Sequence, residues 1–201
     1  MFAVYYIKIV NSSFVHNQGR IIQSGGLHAT KFKTTHILNC NFRKHNSGTI
    51  IMQNGKHIFL IHSIIVRNEG SSGGGIYTNK CKSIKITYVS VVNNMVTSGT
   101  IYTITCPKIL IDHCYFGKNH ADEGGGLYCV EADYIMITSS LFIENFASEA
   151  GAIKIVTAPY RFNILLSNFT NNTAVTGGSS LVLLNSLPSI STFFTKKIIF
   201  L

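Results

Sequence analysis

One spacing recurs along almost the whole chain and leaves few folds open. Phe14, Phe42, Ile65, Val91, Phe116, Phe142 and Phe169 form a column of large apolar residues at intervals of 28, 23, 26, 25, 26 and 27. Three residues after each stand Asn17, His45, Asn68, Asn94, Asn119, Asn145 and Asn172, so six of seven are Asn. Seven and five residues before each stand the pairs Ile7/Ile9, Thr35/Ile37, Ile58/Leu60, Ile84/Ile86, Ile109/Ile111, Ile135/Ile137 and Phe162/Ile164. Residues two apart on a strand share a face, so each pair marks a strand with one apolar side. The small residues Ser12, Cys40, Ser63, Val89, Cys114, Ser140 and Ser167 lie two before the column, which suits a crowded interior bend. A unit of about 25 residues cannot bury its apolar side alone; stacked copies along an axis can.

Glycines punctuate each unit: Gly25-Gly26, Gly48, Gly74-Gly75, Gly99, Gly125-Gly126, Gly151 and Gly177-Gly178. An aliphatic residue follows, as in Leu27, Ile50, Ile76, Ile101, Leu127 and Ile153; in the last unit the spacing puts Ser180 there. Each unit therefore holds two or three short strands and as many turns, without helical periodicity. The glycines are expected at positive φ or against a neighbouring backbone. The Asn residues are expected to close a strand in the left-handed region and to stack their amides along the axis. With rungs ~4.8 Å apart, seven of them predict a rod about 34 Å long.

Phe142-Ile143-Glu144-Asn145 followed by Gly151-Ala152-Ile153 resembles the repeat of the chlamydial polymorphic outer membrane proteins. Phe116 to Asn119 with Gly125-Gly126-Leu127 is a second copy, and Phe169 to Asn172 with Gly177-Gly178 a third. The repeat is also similar to that of pectin lyase-like β-helix domains. Repeat and resemblance together predict an all-β, single-stranded right-handed parallel β-helix of about seven rungs over residues 1–184. Residues 185–201 are read as an irregular apolar tail or the start of a further rung, where Ile198 and Phe200 repeat the two-residue spacing. The resemblance implies a surface, outer-membrane or extracellular protein, often an adhesin. Open β-helix ends expose strand edges, so a piece of a longer product is expected.

Composition narrows the partners. Seventeen basic residues against eight acidic ones give a formal charge of +9. The basic residues are scattered in sequence, without the basic stripe and interleaved aromatics of a nucleic-acid binder, so no nucleic-acid partner is expected. An acidic glycan or another anionic surface fits the charge better. The opening MFAVYYIKIV lacks the features of a secretory leader. The stretch from Ser180 to Leu201 is broken by Asn185, Pro188 and two lysines, too interrupted to span a bilayer. Membrane attachment is thus expected only through parts outside this chain.

Candidate chemistry is sparse. Ile-Asp-His at 111–113 resembles a stretch of pectate lyases, which makes Asp112 and His113 the local hint of polysaccharide cleavage. A lyase of that kind needs clustered carboxylates for Ca²⁺, and no neighbouring rung adds one to the Asp112 position. Asp122, Glu123 and Glu149 precede glycines, with Glu123 and Glu149 expected in adjacent rungs; Glu131 and Asp133 form another acidic pair. No metal or cofactor is expected. Cys40 and Cys114 are read as buried thiols, while Cys81 and Cys106 share a column within disulfide reach. Asn11, Asn168 and Asn171 open glycosylation sequons, Asn171 being the most accessible by its place beside the Asn column. The eight histidines are read as surface residues. The leading expectation is a non-catalytic surface or secreted repeat segment that binds a glycan or host surface. A polysaccharide lyase- or hydrolase-like protein, active or inactive, is the alternative.

Overall fold

A computed structural model describes residues 4–19, 25–70, 74–157, 160–184 and 199–200. Among these residues every regular element is a strand, and every strand pair is parallel. The chain winds as a parallel β-helix. A central rung reads Lys108–Asp112, Tyr115–Gly117, His120–Glu123 and Leu127–Val130. Stacking these elements gives four sheets. The isoleucine-pair sheet has seven strands, the column sheet eight, the glycine-led sheet seven, and a short sheet between the last two has five. The short sheet, running from Glu69–Gly70 to Thr173–Thr176, exceeds the two or three strands per unit that the spacing suggests. No helix among the described residues is long and apolar enough to cross a membrane.

The pairing follows the repeat. Ile84 faces Ile58 and Ile109, and Val91 faces Ile65 and Phe116. One register differs from expectation: Ile153 pairs with Leu181, not Ser180. Residues Ser179-Ser180 lengthen the last turn, so an aliphatic side chain still packs against the core. At the other end of the column, Ile199–Phe200 pairs with Asn168 and Phe169. Phe200 thus extends the column sheet, whereas Ile198 lies outside the described residues.

Inside, apolar residues stack on their own kind. Phe116, Phe142 and Phe169 are fully buried. Their rings are near parallel, with centroids 4.5 and 4.8 Å apart. Offset stacking at this spacing adds to area burial. Beside the rings runs a ladder of buried Asn. Asn68, Asn94, Asn119 and Asn145 each donate from Nδ2 to the Oδ1 of the next Asn, at 2.9–3.0 Å. The same Oδ1 also accepts the backbone N–H of the preceding Asn. The second Nδ2 hydrogen reaches the carbonyl of the preceding rung's column residue, as in Asn145 to Phe116 and Asn172 to Phe142. This closes the logic of the Phe-x-x-Asn spacing: the residue that supplies the stacked ring also supplies a carbonyl to the next amide.

The left-handed positions are not where the Asn column suggests. Asn68, Asn94, Asn119, Asn145 and Asn172 are not at positive φ; the residues before them are, namely Arg67, Asn93, Lys118, Glu144 and Asn171, with φ of 53–55°. The column Asn is held by its amide, and the turn falls one residue earlier. Asn17 also departs from expectation: it is exposed, and the ladder starts at Asn68. Three further corners use left-handed residues, one from Asn11 to Leu166, one from Lys31 to Glu131, and one at Gly124, Ala150 and Gly177. In the first two, the N–H groups of the residues before the last in each series still bond to the next rung, as in His62 to Thr87 and Lys80 to Ile104, so these turns do not interrupt the axial ladder. The glycines serve mainly close approach. A Cβ on Gly125 would stand 2.3 Å from the Gly151 carbonyl oxygen, while Gly177 is the predicted turn glycine with positive φ, +77°.

His45 is the exception to its kind. It is buried in an Asn position, not on the surface. Its Nδ1 takes the N–H of Asn17 at 3.3 Å, while Nε2 is buried without a partner. Burial holds its pKa below the ordinary value, against the polar Asn17 and Phe14 backbones close by, which raise it. The unfolded chain therefore takes up the proton first. The stability tied to a neutral His45 is complete above about pH 6.5 and is lost as pH falls through the depressed folded pKa. His45→Asn should complete the ladder, raise stability by about 1–2 kcal/mol at pH 7 and flatten this acid limb. Melting curves at pH 7.5 and 5 check it; a variant that is no more stable and equally acid-sensitive would show that the orphaned imidazole costs nothing.

Candidate functional site

The outer face of the glycine-led sheet carries a row of polar and aromatic groups. Its register places Tyr77, Tyr102, Tyr128 and Lys154 in one row on successive rungs. Tyr102 and Tyr128 stack at 4.9 Å and 5°, and Tyr77 tilts against Tyr102 at 5.4 Å. All three rings are half-buried. Burial first, then the neighbouring phenols and Glu123, push the Tyr102 hydroxyl above its ordinary pKa. Burial and Glu123 do the same to Tyr128, against the opposing pull of Lys154. Both phenols therefore stay protonated and can donate.

Glu123 and Glu149 stand in register on adjacent rungs of the short sheet. Lys154 Nζ donates to Oε2 of both. Its side chain is only 6% exposed, against about a third for each carboxylate, and Nζ lies 5.6 Å from the Tyr128 centroid. Burial lowers the pKa of Lys154, but the hydrogen bonds and charges of Glu123 and Glu149 outweigh it and leave the ammonium above its ordinary value. The place between the carboxylates is filled by this ammonium. Asp122 is exposed beside them. Glycosidases need two carboxyl groups facing each other across the scissile bond, with one free to act as acid; here both acids share one lysine.

Asp112 and His113 lie elsewhere, on the corner between the isoleucine-pair and column sheets. Asp112 Oδ1 is 3.0 Å from His113 Nδ1 and accepts the Thr138 hydroxyl. Partial burial raises the Asp112 pKa, yet Thr138 and His113 outweigh it and hold the carboxyl below its ordinary value. His113 continues a stack with Tyr88 and His62, each step 4.9 Å. The residues in register with Asp112 are Thr87 and Thr138, which supply hydroxyls and no second carboxylate. Glu131 accepts from Thr105 on another corner, with Asp133 exposed close by.

All five cysteines are free and buried, Cys81 and Cys106 among them. Four of the sulfurs turn to backbone carbonyls, among them Cys81 to Met52 and Cys106 to Lys108. Burial, reinforced by the neighbouring thiols Cys81 and Cys129, pushes Cys106 up to about 12, so it remains a thiol at neutral pH. Cys40 and Cys114 copy the serines of their column, donating to the carbonyl two residues back as Ser63 and Ser140 do. Of the sequon residues, Asn11 and Asn171 are exposed, and Asn168 accepts from Thr170. The tyrosine row had no sequence signal in advance. Its members sit one residue after the apolar position of each glycine-led strand, a position that becomes a row only once the register is known. No family model, curated protein or solved structure matches the chain.

Proposed function

We propose that this chain is a non-catalytic β-helical segment of a surface or secreted protein that binds glycan, with the tyrosine row as the contact face. The single observation that carries the reading is the row itself: three half-buried rings on successive rungs, flanked by a Glu–Lys–Glu cluster. Aromatic faces accept the C–H faces of sugar rings, and protonated phenols beside carboxylates offer donors and acceptors to sugar hydroxyls. Strands fix these groups more firmly than loops would. The likeness of the Phe-x-x-Asn and Gly-Gly-Ala-Ile elements to polymorphic outer membrane proteins supports a cell-surface setting and an adhesive role.

Binding of the purified chain to an array of neutral and acidic oligosaccharides tests the proposal. Tyr102→Ala should weaken capture about tenfold while circular dichroism stays unchanged. Capture of no oligosaccharide at all would overturn it. So would release of unsaturated product from pectic substrates in a reaction that Asp112→Ala abolishes, which would restore the lyase reading.

A further inference from the structure

Lysines that are scattered in sequence are brought together at the corner joining the glycine-led sheet to the isoleucine-pair sheet. Thr34 pairs with His57, and His57 with Ser83. Lys33, Lys56 and Lys82, each one residue earlier, therefore stand on three successive rungs. Lys31 and Lys80 hold left-handed positions at the same corner, and Lys108 pairs with Ser83 on the next rung. All six are exposed. Lys33, Lys56 and Lys82 have no carboxylate partner among the described residues. The first acids along this corner are Glu131 and Asp133, one rung beyond Lys108.

Like charges opposite one another on neighbouring strands destabilise a sheet. With rungs ~4.8 Å apart, ammonium groups on neighbouring rungs fall within one Debye length, about 8 Å at physiological salt, so their fields overlap along the ridge. A linear polyanion laid along the axis would neutralise them together and release its counterions. The corner adjoins the tyrosine row, since Lys80 follows Tyr77 by three residues on the same rung.

We propose that Lys33, Lys56 and Lys82, with Lys31, Lys80 and Lys108 around them, form a binding ridge for an acidic polysaccharide, sulfated or carboxylated. The proposal rests on the glycan-binding reading above and names its ligand class. Polysaccharide is favoured over nucleic acid by what stands between the lysines. Asn54, Thr105 and Pro107 occupy the intervening corner positions, and the Tyr134 ring beside Lys108 lies under its ammonium instead of standing open for a base to stack on.

Heparin is the probe, with affinity measured at several salt concentrations. The test variant carries Lys33→Ala, Lys56→Ala and Lys82→Ala. The control removes the same charge from another corner by Arg43→Ala, Lys44→Ala and Arg67→Ala. The ridge variant should bind heparin at least about tenfold more weakly at 0.15 M salt, with the salt slope reduced by about two to three, and the control should lose less than about threefold. Equal losses in both would reduce the effect to net charge and overturn the ridge. Tighter binding of an oligonucleotide of equal charge would overturn the ligand class. If Tyr102→Ala weakens neutral-glycan capture while the lysine variant keeps full heparin affinity, the ridge fails and the glycan-binding face stands.

Discussion

Replacing Asn119 by Ala should lower the stability of the folded chain by about 3–6 kcal/mol. Four interior hydrogen bonds disappear at once. The Oδ1 of Asn119 accepts the Asn94 backbone N–H at 3.1 Å and its Nδ2 at 2.9 Å; its own Nδ2 donates to Asn145 Oδ1 and to the Val91 carbonyl, each at 2.9 Å. The methyl group left behind satisfies none of them, and the site is closed to water, with Asn94 and Asn119 each 1% exposed. An orphaned buried donor or acceptor costs about 1–3 kcal/mol, and two or three are created. Set against a typical total of about 5–15 kcal/mol, that is a large share. Asn119→Asp should fare no better, because a carboxylate cannot donate to Asn145 Oδ1. Asn17→Ala is the comparison. It belongs to the same column of the sequence but is exposed and outside the ladder, so its effect should stay within about 0.5 kcal/mol. Urea midpoints at constant slope measure all three. Similar losses at positions 17 and 119 would mean that the ladder is not what holds the rungs in register.

That contrast also shows what the sequence could and could not disclose. The column, the isoleucine pairs and the Asn series are periodic because each occupies one interior position on every rung, and interior positions admit few residue types. The parallel β-helix was therefore legible before any coordinates. Left-handed corner residues were not. Their only shared requirement is a backbone conformation, and the fold imposes it on Tyr88, Thr105, Glu131 and Leu166 as readily as on Asn. Where a further rung follows, the axial hydrogen bond from such an N–H, as in Tyr88 to Asp112 and Thr105 to Val130, helps offset the cost of a strained φ. The preference of Asn for this region pointed to the column Asn, whose amide in fact serves the ladder while its neighbour makes the turn. Ser180 was misplaced for a related reason: a turn lengthened by one residue shifts the register beyond it, and spacing alone does not show the insertion.

The candidate surfaces were harder to read because they are properties of register between distant residues. Glu123 and Glu149 could be placed on adjacent rungs by counting, yet the lysine that joins them comes from a different sheet. Lys33, Lys56 and Lys82 are separated by 23 and 26 residues, so a search for basic runs passes over them. Both surfaces follow from the same rule. In a stacked repeat any outward position becomes a row, and chemistry that looks diluted along the chain is concentrated along the axis.

Phe142→Ala should remove about 3–5 kcal/mol, and the loss should be unevenly spread. The ring is fully buried between Phe116 and Phe169, so truncation opens a cavity with an aromatic wall on each side. The backbone presses close as well: a Cβ on Gly126 would stand 2.9 Å from the ring, which leaves little slack for collapse. Phe142→Leu keeps most of the volume and should cost less than about 1.5 kcal/mol. Phe14→Ala, at a half-buried position stacked on Phe42 alone, should cost about 1–2 kcal/mol. In a stacked repeat each rung is stabilised by its nearest neighbours, so a cavity at residue 142 weakens the coupling of the later rungs to the earlier ones. Amide exchange in the Ala variant should therefore accelerate first in Asn168–Thr170 and Arg161–Leu165, while Ser83–Thr87 and Ile58 keep their protection. The lysine ridge and Tyr77 lie on those earlier rungs. Polyanion binding should consequently survive a substitution that melts the far end of the rod. Uniform loss of protection along the chain would instead show that the rungs unfold as one unit, and binding should then fall with the fraction folded.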